Sequence, residues 1–235
     1  MNFKKIMIFF YKILSSIYIY IFGRKRMQFI NNIIFSLSLN AKGYKNYGSF
    51  NKTGEKKFIK KINKDLFFCL DIGANVGKYT ELLLKETESK IVSFEPLEKA
   101  FQELKKIESQ NPSRLKVFNN AIGEKNEILE LNYSNDMSEK ASFTKHLDKL
   151  SFYEFHKNKK IKKNILSLDS FVKENLDIFN VKEIDLIKID TEGFELEVLK
   201  GAQETIKKMS PKYVQFEFNW HQLFKIITCI AFLNI

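Results

Sequence analysis

The stretch Leu66-Phe-Phe-Cys-Leu-Asp-Ile-Gly-Ala-Asn-Val-Gly77 constrains the fold of this chain more than any other. Leu66 to Ile72 is a short apolar run ended by a breaker, the pattern of a strand buried on both faces. Gly73 and Gly77 let the backbone turn tightly and approach a ligand where a Cβ would obstruct it. Apolar residues resume at Leu82, Leu83 and Leu84, which predicts a helix over Tyr79 to Glu86. A helix N-terminus below a glycine turn is a ready ligand site, because its first amides have no partner within the helix. Asp71 ends the buried run, where an acid is costly unless a cation or a hydrogen-bond donor meets it.

That acid separates two cofactor readings. A dinucleotide turn, Gly-x-Gly-x-x-Gly, receives a pyrophosphate that a neighbouring carboxylate would repel. Here Asn75 occupies the place of the middle glycine, and Asp71 stands close by. S-adenosylmethionine carries an amino-acid end and a sulfonium but no phosphate, so an acid is acceptable there. Lys90-Ile-Val-Ser-Phe-Glu-Pro96 reads as a second strand ending in Glu95, about twenty residues past the turn, where an acid can accept both ribose hydroxyls. An NAD(P)-dependent enzyme is disfavoured on the same residues.

Five segments then resemble one family in order. They are Asp71-Ile-Gly-Ala-Asn-Val-Gly77, Phe94-Glu-Pro96, Asn120-Ala-Ile-Gly123, Leu168-Asp-Ser-Phe171 and Glu183-Ile-Asp-Leu-Ile-Lys-Ile-Asp-Thr-Glu-Gly-Phe-Glu-Leu-Glu-Val-Leu-Lys-Gly-Ala202. Together they resemble the FkbM-type methyltransferases over Phe67 to Gln222, about two-thirds of the chain. The resemblance implies S-adenosylmethionine-dependent O-methylation, typically of a hydroxyl on a sugar or a glycosylated compound. It implies an α/β, Rossmann-like class I methyltransferase fold, a mostly parallel sheet with helices on both faces. It also sets Asn120 and Ala121 near the adenine. An amino-methylating enzyme would carry Asn-Pro-Pro-Tyr or Asp-Pro-Pro-Tyr after the fourth strand, where this chain has Asp190-Thr-Glu-Gly193.

Charge argues against a nucleic-acid substrate. The formal +11 of the chain resides in residues 1–64, which hold 14 Lys and Arg against one acid, Glu55. The rest holds 25 basic and 27 acidic residues, too balanced for a phosphate-lined cleft. Cys69 and Cys229 form neither a disulfide framework nor a zinc pattern, so a cytoplasmic setting is expected.

The sequence divides into a basic extension (1–64), a methyltransferase domain (65–224) and an atypical tail (225–235). The extension opens with an apolar helix-like run, Ile6 to Phe22, interrupted by Lys12 and followed by Arg24-Lys-Arg26. It is short for a membrane span and has no signal-peptide cleavage site. It reads as a helix packed on the catalytic domain or, through residues 1–26, as a peripheral contact on the inner face of a membrane. Residues 134–164 are Lys-rich without clear periodicity. After Phe224 the text departs from the family pattern, so a closing C-terminal hairpin is expected to be missing. A frameshift in a run of A at Lys225 would account for that departure, and the gene sequence tests it.

Methyl transfer from a sulfonium is an in-line displacement, and a sugar hydroxyl needs help to lose its proton. Asp190, at the end of the fourth strand, is the first candidate, against a helix N-cap as the alternative. Glu192 could join Asp190 in holding a divalent cation, or stand as a first-turn acid favoured by the helix dipole. His221 could act as a general base, or hydrogen-bond within a substrate loop, and Trp220 could stack on a sugar ring or simply pack. The methionine end of the cofactor is assigned to Asp71, Gly73, Asn75 and Gly77, and the ribose to Glu95. Glu195 and Glu197 read as the solvated side of a single helix, Phe194 to Lys208. Ser142 and Phe143 lie where adenine or substrate could be touched, and His146 and His156 read as surface residues. The rival reading is a non-catalytic remnant held at a membrane or a partner.

Overall fold

The computed structural model describes residues 3–41, 54–133, 141–143, 159–175 and 181–217. His221, Trp220, His146, His156 and the 225–235 tail lie outside the described residues. The chain divides into two compact units, 1–58 and 59–235.

The second unit is built on a five-stranded parallel sheet. Its strands are β1 (Phe68–Ile72), β2 (Lys90–Phe94), β3 (Leu115–Phe118), β7 (Leu186–Ile189) and β8 (Tyr213–Phe216), in the spatial order β3-β2-β1-β7-β8. All five residues of β1 are buried, as its unbroken apolar run requires of a strand covered on both faces. The helices of this unit are α4 (Lys78–Glu86), α5 (Glu98–Gln110), α6 (Leu168–Asn175), α7 (Glu195–Lys200) and α8 (Gln203–Met209). Strand residues alternate between faces. Leu70, Ile72, Phe94, Ile187 and Ile189 join Phe171, Val198 and Met209 in one core. Thr80 of α4 meets Asp71 and Ser93 on the opposite face. The Rossmann-like α/β class expected from the sequence is therefore present, with helices on both faces.

A second sheet of three strands runs β4-β6-β5, where β4 is Ala121–Gly123, β5 is Glu127–Tyr133 and β6 is Lys159–Ser167. β5 and β6 are antiparallel, and β4 and β6 are parallel. The β5 alternation is legible in the sequence, but β6 extends into the Lys-rich stretch that showed no periodicity. Most of its first six residues are exposed, so Lys stands where a buried strand would carry apolar side chains. The expected helix from Phe194 to Lys208 is broken instead into α7 and α8 at Gly201. A Cβ on Gly201 would sit 1.9 Å from the carbonyl oxygen of Gly123, so only glycine admits this approach.

The first unit contains α1 (Phe3–Phe22) and α2 (Gln28–Ala41), joined through a 3-10 turn at Lys25–Met27. Asn31 ties them: its amide donates to the Phe22 carbonyl at 2.8 Å, and Tyr18 Oη donates to its Oδ1 at 2.6 Å. A further helix, α3 (Gly54–Ile62), crosses the boundary between the units, and its buried Ile59 and Ile62 belong to the second. Among the described residues no helix is long and apolar enough to cross a membrane.

Candidate active site

One register row aligns the site. Ile72 pairs with Phe94 and Ile189, Phe94 with Phe118, and Ile189 with Phe216. The next residue on each strand, Gly73, Glu95, Asn119, Asp190 and Glu217, therefore emerges together at the carboxyl edge of the sheet. The chain leaves β1 toward β2 on one side and returns to β7 on the other, so strand order reverses at β1. Open parallel sheets bind ligands at such a reversal.

The turn after β1 is held from both sides. The amides of Gly73 and Ala74 both donate to the Phe94 carbonyl at 3.0 Å. Gly73 has φ +81°, and a Cβ there would lie 1.9 Å from the Asp190 carbonyl oxygen. Its neighbour in the tight approach is thus the β7 loop, a constraint the sequence alone did not reveal. Asn75 takes φ 49°, and its Oδ1 accepts the Val76 amide at 2.6 Å. Gly77, at φ 90°, is the N-cap of α4.

Glu95 is nearly buried. Its Oε2 accepts the Asn75 amide at 2.8 Å and its Oε1 the Leu97 amide at 2.7 Å. Burial pushes its carboxyl up to about 7, against these two hydrogen bonds, which pull it down. Each oxygen keeps a lone pair for a further donor, as a ribose hydroxyl would need. Asn119 secures the same loop, donating to the Glu95 and Pro96 carbonyls at 3.1 and 3.3 Å. Asn120 is half-buried just before β4, and Ala121 packs with Ile165 and Phe194.

Asp71 has no solvent exposure. Thr80 Oγ1 donates to its Oδ2 at 2.7 Å, and the Lys188 ammonium lies 3.3 Å from its Oδ1. Lys188 is also 3.4 Å from Asp190 Oδ2 and 5.2 Å from the Tyr79 ring centroid. The cation that a buried acid demands is thus in the chain itself. Sequence reasoning passed over Lys188 because it sits inside an apolar run, but a charge there, in register with Asp71, was the available signal.

Asp190 is part-exposed, and its neighbours form a built turn. The N-cap of α7 is Phe194, so Asp190 does not cap that helix and Glu192 does not stand in its first turn. Glu192 takes φ 51° and Gly193 φ 100°. Glu195 corrects the expectation of a solvated helix face: it is fully buried. Its Oε1 accepts the Thr191 amide at 2.9 Å and the Thr191 hydroxyl at 3.1 Å, and its Oε2 accepts the Gly193 amide at 3.0 Å. Burial raises its carboxyl above the ordinary value. Ser142, also fully buried, donates its hydroxyl to the Glu192 carbonyl and pairs through its backbone with Asn132. Phe143 lies against Phe194 with ring centroids 5.1 Å apart.

Carboxylate oxygens of Asp190, Glu192 and Glu217 lie within 4.8 Å of one another. Three hard oxygen donors on a part-exposed rim suit a hydrated divalent cation. Glu217 joins the two acids picked from sequence because β8 ends one step from Asp190. Cys69 is buried, and burial pushes its thiol up to about 12, consistent with an inert packing role.

Comparison with known proteins places the chain beside other methyltransferases. The family model described as the Methyltransferase FkbM domain matches residues 71–229, more than half of the chain. A protein named "Methyltransferase 1" from Beauveria bassiana (strain ARSEF 2860) is 25% identical over 152 residues, covering 58% of this chain. The chain spans 59% of that relative's length.

Proposed function

Because the chain belongs to the FkbM methyltransferase family, we propose that it is an S-adenosylmethionine-dependent O-methyltransferase acting on a hydroxyl of a sugar or glycoconjugate. The observation that supports this reading is the alignment of Gly73, Glu95 and Asp190 at one sheet edge, with Lys188 between Asp71 and Asp190.

In this reading the methionine end lies along the Gly73–Gly77 turn and Glu95 accepts the ribose hydroxyls. Asp190 takes the proton of the acceptor hydroxyl as the oxygen–methyl bond forms and the sulfur–methyl bond breaks. S-adenosylmethionine, when bound, would supply the methyl group and depart as the neutral thioether. Lys188 fixes the Asp190 carboxylate and compensates Asp71 below the turn. A divalent cation, held by Asp190, Glu192 and Glu217, would supply charge to stabilise the ionising hydroxyl. The acceptor class follows from the family resemblance.

Calorimetric titration of S-adenosylmethionine into the purified full chain tests the cofactor, and transfer of labelled methyl to a saccharide panel tests the acceptor. Saturable binding with sugar labelling is expected. Asp190→Asn should lower turnover by roughly 100-fold or more while cofactor binding persists. A cooperatively folded protein that ignores the cofactor would overturn the reading.

A further inference from the structure

The α1–α2 unit carries its apolar side chains outward. Phe10, Leu14, Ile17 and Ile21 recur at helical spacing along α1 and are exposed, as are Ile30, Ile33 and Leu37 along α2. Phe29 is 74% exposed and Tyr20 76%, and they add to a run of exposed apolar side chains of the kind that marks an interaction surface.

The polar groups of α1 are segregated. Lys12, Ser15 and Ser16 fall on one side, and the Ser16 hydroxyl donates to the Lys12 carbonyl at 2.9 Å. Phe10, Leu14, Ile17 and Ile21 form the opposite stripe. At the bend, Arg24, Lys25 and Arg26 are all exposed, with Arg24 5.9 Å from the Tyr20 ring centroid. From residue 1 to residue 54 the sequence has no acid.

We propose that α1 and α2 dock along the surface of an anionic lipid bilayer. Their apolar stripes enter the acyl boundary while Lys12 reaches back to the headgroups and Arg24, Lys25 and Arg26 pair with lipid phosphates. Surface docking, rather than spanning, follows from Lys12 lying midway along α1, where the centre of a span would sit. A uniformly basic segment fits an anionic surface and is unsuited to pairing with a second copy of itself. This contact stands or falls independently of methyl transfer.

Sedimentation of the full chain with phosphatidylglycerol-containing vesicles, against pure phosphatidylcholine vesicles, tests the proposal. Binding to the anionic vesicles alone, weakened by salt, is expected. Replacing the three bend cations (Arg24→Ser, Lys25→Ser, Arg26→Ser) should weaken it on the order of 100-fold. Phe10→Glu with Ile17→Glu should abolish it while thermal unfolding of the rest of the chain is unchanged. Equal binding to both vesicle types, or none to either, overturns the proposal. So does a dimer in light scattering that Phe10→Glu dissolves, which would make a second copy the occupant. Sedimentation with RNA instead of vesicles would overturn it in favour of a nucleic-acid contact.

Discussion

The Lys188 ammonium lies 3.3 Å from Oδ1 of Asp71, and both side chains are withdrawn from water. Removing one member of such a pair leaves the other charged and buried, which costs about 3–5 kcal/mol. Lys188→Met should therefore destabilise the protein by about that much in denaturant titration. The double variant with Asp71→Leu should recover most of the loss. Additive losses in the cycle would show that the two side chains do not interact.

Glu95 sets a pH dependence of known sign. Its carboxyl sits at about 7 in the folded protein, above the ordinary 4.5, because burial disfavours the charge. Its contribution to stability is therefore full below the ordinary carboxylate range and is lost as pH rises toward 7. The difference is worth roughly 3 kcal/mol. Glu95→Gln should flatten that decline. Ribose hydroxyls donate best to the ionised form, so cofactor affinity should run the other way, rising roughly tenfold between about pH 6 and about pH 8. A flat calorimetric profile across that interval would remove Glu95 from the ribose site.

Gly73 faces the carbonyl oxygen of Asp190 across a gap with no room for a methyl group. Gly73→Ala adds both that clash and the strain of φ +81°. We expect a loss of at least about 2 kcal/mol, with cofactor binding abolished in what remains folded. Wild-type melting and affinity in this variant would mean that the two loops separate readily.

Glu195 holds the Thr191–Gly193 turn through backbone amides. Glu195→Ala removes the carboxylate that the buried Gly193 amide and the half-buried Thr191 amide donate to, a loss of about 1–3 kcal/mol, and releases the turn that carries Asp190. Turnover should fall while the affinity for S-adenosylmethionine stays close to wild type, because Glu95 and the β1 turn are untouched. A matched fall in both would place Glu195 in the cofactor site instead.

The three-carboxylate rim predicts a cation effect. Mn2+ titration followed by magnetic resonance should give a saturable site that Glu217→Gln weakens by about tenfold. Activity that survives exhaustive chelation would show that Asp190 works without a metal.

The parallel core was legible because its strands are apolar on both faces and end in turn residues, so Glu95 and Asp190 could be set on one edge from the sequence, whereas Asp71 lies two residues below that edge, inside β1. Lys188 and Glu195 were not legible, since a charged residue in such a pattern is read as solvated by default. Both are buried because their charge or hydrogen-bonding capacity is answered by residues distant along the chain or folded back against it. β6 escaped for a different reason. Its partner β5 supplies Glu130 to Lys160 at 2.7 Å, an exposed cross-strand pair that gives the strand no apolar alternation at that end. Glu217 follows the last residue of β8, and its closeness to Asp190 depends on the β7–β8 register, which spacing alone does not provide.

The shared register row has a consequence for how this site can vary through descent. Each residue of that row is placed by counting along its own strand, with its neighbours fixing the count. Loss of a single residue within β1, β2 or β7 would pull the next one back by about 3.3 Å and turn it to the opposite face. Such deletions should be lethal to activity even where every motif residue survives. Length changes in the helices and outer loops should pass far more easily, so the carboxyl edge of the sheet is protected by the spacing of its strands as much as by the chemistry of its side chains.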